Sequence, residues 1–119
     1  MEALVRPRTG VMMLMRIERW DVRRDGPLNE TALRKKLTAF GYEAAASVGA
    51  VDGVTTVRDG SERVEAVVSG LVKVTIDGES AILAAGDVVF VPRDAVRRVE
   101  VVGNVPASSL HAVYRTHPI

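Results

Sequence analysis

The stretch Glu62–Tyr114 decides the fold, because it is a run of short apolar segments separated by turn residues. Four of these segments carry the pattern: ERVEAVVSG (62–70), LVKVTIDGE (71–79), GDVVFVP (86–92) and RRVEV (97–101). In 71–77, aliphatic residues alternate with Lys73 and Thr75, which is typical of a strand with one buried face. The Asp77-Gly78 pair that follows signals a tight hairpin. Many short strands at this spacing predict a β-sandwich or a small barrel.

One helix precedes these strands. Asn29 is a suitable N-cap, and Gly41 provides a C-terminal stop. The apolar residues between them recur every three to four positions, as on one face of a helix: Leu33, Leu37 and Phe40. We therefore predict one N-terminal α-helix over about 29–40. Residues 1–26 are interpreted as an extension with a candidate edge strand at Val11–Ile17, and residues 27–119 as one barrel domain led by the helix.

Composition limits the class of protein. A chain of 119 residues with 47% hydrophobic residues is long enough for one packed domain. The 16 basic and 15 acidic residues leave a formal charge of +1, which gives no reason to expect nucleic-acid or membrane partners. The lack of cysteine excludes disulfides and thiolate chemistry. The apolar run 11–15 is too short for a signal peptide or a membrane span, so we expect a cytoplasmic protein.

The glycine and proline spacing resembles the two characteristic motifs of the cupin superfamily. The likeness rests on five features: Gly70 after the first strand, Gly86-x5-Pro92, Val99-Glu100-Val101, the Gly41-Tyr42 pair, and the terminal strand Ser109–Val113. The last two features are similar to small single-domain cupins that carry a helix before the barrel. The resemblance implies an all-β fold, a cupin-type (RmlC-like) double-stranded β-helix or jelly-roll barrel with one N-terminal α-helix.

The resemblance also implies where a metal would be held. Cupins usually bind a divalent metal through imidazoles and one carboxylate. Family spacing places these ligands at Val57, Asp59, Arg63 and Arg97. A guanidinium has no lone pair for a metal, and the first histidine of the chain is His111. We therefore expect a degenerate site and no cofactor. The alternative is an atypical divalent-metal site made by Asp59, Glu62 and His111, with Glu62 one residue out of register.

Arg97 has the strongest bearing on what the barrel interior can bind. It shares strand parity with Val99 and Val101, so it is predicted to point into the barrel. A buried guanidinium needs an anionic partner, and we hypothesise that Glu62 supplies it. In a second version, Arg97 and Arg63 bind an anionic ligand through bidentate hydrogen bonds. A third alternative lets Arg97 extend to solvent at the barrel mouth.

His111 lies in the last strand, which lines the barrel in cupins. If it points inward, it is a candidate ligand-binding residue, or a candidate general acid or base together with Glu62. A lone histidine in a strand is, however, more often a packed or hydrogen-bonded residue.

Three functions remain open from the sequence. The preferred one is a metal-free small-molecule binding or accessory protein of unknown ligand. A small anion is one candidate ligand, and the candidate binding residues are Arg97, Glu62, Arg63 and His111. The second is an isomerase-like or cyclase-like enzyme. The third is a structural module whose barrel is filled by Val64, Val67, Val68, Val72, Val74, Ile76, Val89, Val91 and Val99.

The candidate edge strand bears on assembly. Cupins commonly form dimers through edge strands, and an unpaired strand edge favours such pairing. We therefore expect a homodimer to which Val11–Ile17 contributes.

Overall fold

The computed structural model describes residues 2–5, 13–44, 53–56 and 62–114. Within these ranges the elements follow in chain order: β1 Glu2–Val5, β2 Met13–Glu18, α1 Val22–Asp25, α2 Glu30–Ala39, β3 Tyr42–Ala44, β4 Gly53–Thr56, β5 Arg63–Ser69, β6 Val72–Ile76, β7 Glu79–Leu83, β8 Val88–Val91, β9 Val96–Val101 and β10 Ser108–Tyr114. No helix in the described part of the chain is long and apolar enough to cross a membrane.

Two antiparallel sheets enclose the main core. The larger has six strands in the order β1-β2-β8-β5-β10-β3, and the smaller has four in the order β4-β9-β6-β7. Buried aliphatic side chains from both sheets meet between them, among them Ile17, Val74, Val89 and Val99. This jelly-roll arrangement with a leading helix confirms the all-β class that the strand pattern predicted and the barrel type that the resemblance implied.

Helix α2 begins and ends as predicted. The Asn29 carboxamide Oδ1 accepts a hydrogen bond from the Ala32 N–H at 2.8 Å, which caps the first turn. Leu33 and Leu37 are fully buried against the outer face of the large sheet. Gly41 has a φ of 93°, a conformation that favours glycine and ends the helix.

The segment before α2 contains more structure than the sequence indicated. The candidate edge strand Val11–Ile17 overlaps β2, but the expectation that it forms the sheet edge is wrong, because its residues 13–16 pair with β1, which forms the edge. Ile17 and Glu18 then pair with β8 in the large sheet. The short helix α1 was not predicted; the Asp21 carboxylate caps it by accepting from the Arg23 N–H at 2.9 Å. Residues 11 and 12 lie outside the described ranges.

Strand β5 is buried on both faces, which corrects one expectation. Glu65 and Val67 face the space between the sheets, whereas Val64 and Val68 pack toward α2. The prediction that Val64 and Val68 fill the barrel is therefore wrong. β5 is covered by a sheet on one side and by a helix on the other. Its sequence therefore lacks the alternation of polar and apolar residues that would show which side chains share a face.

Tight turns hold the strand ends in place. Gly86 has a φ of 91°, and a Cβ at this position would lie 2.5 Å from the Trp20 Cβ. Only glycine satisfies both the backbone conformation and this contact. Asp94, in the turn after Pro92, has a φ of 61°, so it occupies the left-handed region that residues other than glycine rarely adopt.

Candidate functional site

Four polar side chains share the inner face of the large and small sheets. They are contributed by β5, β9 and β10: Arg63, Glu65, Arg97 and His111. Antiparallel partners lie on the same face of a sheet. The register pairs Glu65 with His111 and places Arg63 beside Val91. Across the barrel, Arg97 is paired with Ile76 of the core. These four residues are called the interior cluster below.

The centre of the interior cluster is an ion pair between Arg97 and Glu65. Arg97 is 7% exposed and Glu65 is 5% exposed. Arg97 Nη2 donates to Glu65 Oε2 at 2.5 Å, and Arg97 Nε contacts Oε1 of the same carboxylate. Two parallel contacts of this kind are the strongest geometry available to an arginine and a carboxylate.

The position of Arg97 settles part of the sequence hypothesis. The inward orientation predicted from parity is confirmed, and the alternative that Arg97 extends to solvent is wrong. The proposed partner, Glu62, is also wrong, because the pairing carboxylate is Glu65. Glu62 precedes β5 and is exposed, and its Oε2 accepts a hydrogen bond from the Tyr42 hydroxyl at 3.2 Å.

His111 lies beside this ion pair. Its Nε2 is buried and lies 3.6 Å from Glu65 Oε2, beyond hydrogen-bond range. Burial lowers the pKa of His111 to about 4, and the positive charges of Arg97 and Arg63 act in the same direction. The imidazole is therefore neutral at pH 7.

The guanidiniums of the interior cluster act on the titration of their neighbours. Burial, followed by the neighbouring Arg63 guanidinium, lowers the pKa of Arg97 to about 10, so Arg97 keeps its charge at neutral pH. Arg63 is partly buried and contributes to the lowered pKa values of both Arg97 and His111. A further positive charge placed near Arg63 and Arg97, such as a protonated imidazole, is disfavoured.

The divalent metal that the resemblance implies does not fit these residues. Guanidiniums occupy two of the expected ligand positions, Arg63 and Arg97, and cannot donate a lone pair. The carboxylate within the interior cluster, Glu65, already forms an ion pair with Arg97. Among the described residues, no three His, Asp or Glu side chains are grouped to hold an ion. Asp59, one of the candidate ligands, lies outside the described ranges.

A separate pocket opens where β2 and β8 part. Their pairing covers only Ile17–Val89 and Glu18–Val88, and does not continue to Arg16 and Phe90. The resulting pocket, called the mouth cleft below, has a volume of about 260 Å³. Its described lining comprises Met15, Arg16, Tyr42, Glu62, Ile76, Asp77, Glu79, Phe90, Val91 and Pro92.

The mouth cleft and the interior cluster are neighbours but distinct. Val91 and Ile76 line the mouth cleft, and they are the strand partners of Arg63 and Arg97. The arginines themselves are not among the described lining residues. Of the residues predicted for a site, Glu62 lies at the mouth cleft, and Arg63, Arg97 and His111 lie in the interior cluster.

Glu65 is the site residue that the sequence interpretation missed. It lies two positions after Arg63 and therefore on the same face of β5. This shared parity with Arg63 was the signal in the sequence that could have identified Glu65. The signal was weak because Val64, Ala66 and Val67 are all buried, so that β5 has the sequence of a continuous apolar run.

Comparisons with known proteins agree on the fold. The family model described as "Cupin domain" matches residues 49–113, more than half of the chain. A search of curated proteins found no match.

Three solved structures illustrate the likeness. The acireductone dioxygenase of Bacillus anthracis, with cadmium in its active centre, is 17% identical over 86% of this chain and 79% of its own, with a TM-score of 0.64. A predicted oxalate decarboxylase of Thermotoga maritima is 14% identical over 97% and 92%, with a TM-score of 0.54. A cupin protein of Bacteroides fragilis is 23% identical over 86% of each chain, with a TM-score of 0.52. At these identities the likeness concerns the fold alone.

Proposed function

The chain belongs to the cupin family, and from this premise we propose that it binds a small anionic molecule, without a metal, in the interior cluster. The observation that carries the proposal is the buried Arg97–Glu65 ion pair facing the same interior as Arg63. These arginines stand at two positions where the family pattern has metal ligands. Anion recognition by guanidiniums then takes the place of metal coordination.

The electrostatics favour an anion over a cation or a neutral molecule. Among the described residues, the interior cluster holds two guanidiniums, one carboxylate and a neutral imidazole. A guanidinium has five N–H donors, more than one carboxylate accepts. Burial is the main cause of the lowered pKa values of Arg97 and His111, and the neighbouring guanidiniums add to it. A carboxylate or phosphate group entering the cluster would lie close to these guanidiniums.

An enzymatic role has less support. The sequence hypothesis joined His111 and Glu62 as an acid–base pair, but Glu62 bonds to Tyr42 and His111 lies beside Glu65. A histidine with a pKa of about 4 is a weak base at pH 7 and is rarely protonated there. A filled barrel is also disfavoured, because the mouth cleft leaves about 260 Å³ open next to the core.

The test is anion titration of the whole chain purified without added metal. Acetate, benzoate and inorganic phosphate are titrated by calorimetry, with metal content measured in the same sample. The affected variant is Glu65→Leu/Arg97→Met, which replaces both charges by apolar groups. The matched control is Arg98→Met, because Arg98 is the next residue on the same strand and faces outward.

We expect at least one anion to bind wild type and Arg98→Met without metal. The double variant should bind it at least about tenfold more weakly, since it loses a charge-assisted contact. The proposal is overturned if none of the three anions binds, or if binding requires a stoichiometric metal ion.

A further inference from the structure

We propose that the mouth cleft is a second binding site, which takes a small organic cation: an ammonium group carried on an apolar or aromatic body. This goes beyond the anion site of the interior cluster, since the two places differ in lining, charge and ligand class. The inference rests on the shape of the mouth cleft, its apolar and aromatic walls, and the charge of its lining.

The shape follows from the strand geometry. Strands β2 and β8 stay paired for two residues and then separate, so the large sheet is open at this point. Through the gap, core residues become part of the cleft wall: Met15, Ile76 and Val91. A cleft with a floor of buried apolar side chains takes up the apolar part of a ligand.

The size restricts the ligand. Pockets for drug-sized molecules are typically about 300–1,000 Å³, and the mouth cleft, at about 260 Å³, falls just below that range. A cleft of this size suits a small ligand such as a monocyclic aromatic amine.

The charge of the lining selects a cation. The described lining contains three carboxylates, Glu62, Asp77 and Glu79, and one guanidinium, Arg16, which gives a net charge of −2. Glu62 precedes β5 of the large sheet, whereas Asp77 lies in the β6–β7 turn and Glu79 begins β7, so the carboxylates approach the cleft from both sheets. An ammonium group placed between them is attracted from two sides.

Arg16 shows that the aromatic wall already accepts a cation. Its guanidinium carbon lies 4.0 Å from the centroid of the Phe90 ring. The Tyr42 and Phe90 rings meet edge to face at 5.8 Å, which fixes the orientation of this wall. Arg16 therefore occupies the face that a ligand ammonium would use, and it also carries a like charge. The geometry points to Arg16 as the internal competitor of a bound cation.

The experiment measures the binding of three probes of nearly equal size to the full chain by calorimetry and NMR titration. Phenethylammonium carries the proposed charge, 2-phenylethanol carries none, and phenylacetate carries the opposite charge. The variants are Glu79→Gln and Arg16→Met, with Glu100→Gln as the control. Glu100 is a carboxylate on the small sheet that pairs with Arg98 and does not line the cleft.

We expect phenethylammonium to bind more tightly than the other two probes. Glu79→Gln should weaken it about threefold and Arg16→Met should strengthen it about threefold, as is usual for single partly exposed charges; Glu100→Gln should change nothing measurable. The inference is overturned if the alcohol binds as tightly as the amine, or if Arg16→Met weakens amine binding.

The same titrations separate this inference from the anion proposal. The Glu65→Leu/Arg97→Met variant should bind phenethylammonium as wild type does, because neither residue lines the mouth cleft. Binding of phenylacetate alone, lost in that double variant, would support the interior anion site and overturn the cation site. If the amine binds and acetate, benzoate and phosphate do not, the cation site is supported and the interior anion site is overturned.

Discussion

Arg97 and Glu65, 32 residues apart in the chain, form a buried ion pair inside the barrel, with Arg97 Nη2 donating to Glu65 Oε2 at 2.5 Å. Both side chains are more than nine-tenths buried. A pair of this kind has a known asymmetry. Removing one partner leaves an uncompensated charge and costs about 3–5 kcal/mol, whereas replacing both by apolar residues is close to neutral or stabilising.

The first prediction follows from that asymmetry. Glu65→Gln should lower the free energy of unfolding by about 3–5 kcal/mol, because Arg97 stays charged without its carboxylate. The double variant Glu65→Leu/Arg97→Met should lie within about 1 kcal/mol of wild type or above it. Denaturant unfolding followed by the fluorescence of Trp20, the single tryptophan, measures both.

Two control variants accompany this cycle. Glu62→Gln should cost no more than about 1 kcal/mol, since Glu62 is exposed and bonds to Tyr42. Arg98→Met removes an exposed ion pair with Glu100 and should cost about 0–1 kcal/mol. Additive effects of Glu65→Gln and Arg97→Met would contradict the ion pair.

A second prediction concerns pH and His111. The folded-state pKa of about 4 lies below the unfolded value of about 6.5. Between these values the unfolded chain binds the extra proton, so stability falls as pH decreases from about 6.5 to about 4. His111→Gln should remove this contribution, which is on the order of 2 kcal/mol. The measurement is the free energy of unfolding of both proteins at pH 7 and pH 4.5; identical changes in the two would exclude His111 as the source.

The third prediction tests the packing of Gly86 on Trp20. Gly86→Ala adds a methyl group 2.5 Å from the Trp20 Cβ at a φ of 91°. Strain and overpacking together should cost about 2–4 kcal/mol. Gly103→Ala is the matched control, because Gly103 has a φ of 80° but open space around it, and should cost only about 1 kcal/mol. Equal losses of thermal stability would mean that backbone conformation alone matters at Gly86.

Chelation provides a fourth prediction. A stabilising metal at about 100 times its Kd adds ~2.7 kcal/mol to stability. Since Arg63 and Arg97 occupy ligand positions, we expect EDTA to leave the Tm unchanged, and added Zn²⁺ or Mn²⁺ to leave it unchanged as well. A drop of several degrees on chelation would favour the atypical metal site that includes Asp59.

The last prediction concerns assembly. Strand β1 forms one edge of the large sheet and pairs with β2 over four positions, and sheet edges favour pairing with a second chain. We expect a homodimer of twice the 12.8 kDa chain mass. A chain starting at Ile17 should be monomeric by light scattering, with circular dichroism verifying that the β-fold is kept. An unchanged mass would contradict a role of this segment.

Much of the fold could be predicted from the sequence, because several elements are marked by local signals at specific residues. Asn29 and Gly41 mark the ends of α2 through local backbone chemistry, and the alternation in β6 reports a strand with one solvent face. β1 and α1 were not foreseen. β1 is a four-residue strand held by pairing with β2, and α1 is a single turn capped by Asp21. Short elements of this kind depend on their neighbours more than on their own sequence.

For the site, strand parity in the sequence predicted that Arg97 points inward, and the resemblance to cupins placed Arg63 and Arg97 at positions where a metal ligand is expected. Strand parity and side-chain chemistry are local properties, so they can be read from a single chain. Only the tertiary structure decided that Glu65 is the partner of Arg97, and that β2 leaves β8 to open the mouth cleft. Both depend on the register between strands distant in sequence. That register is set by packing of the whole barrel, and a strand such as β5, buried on both faces, does not reveal it alone.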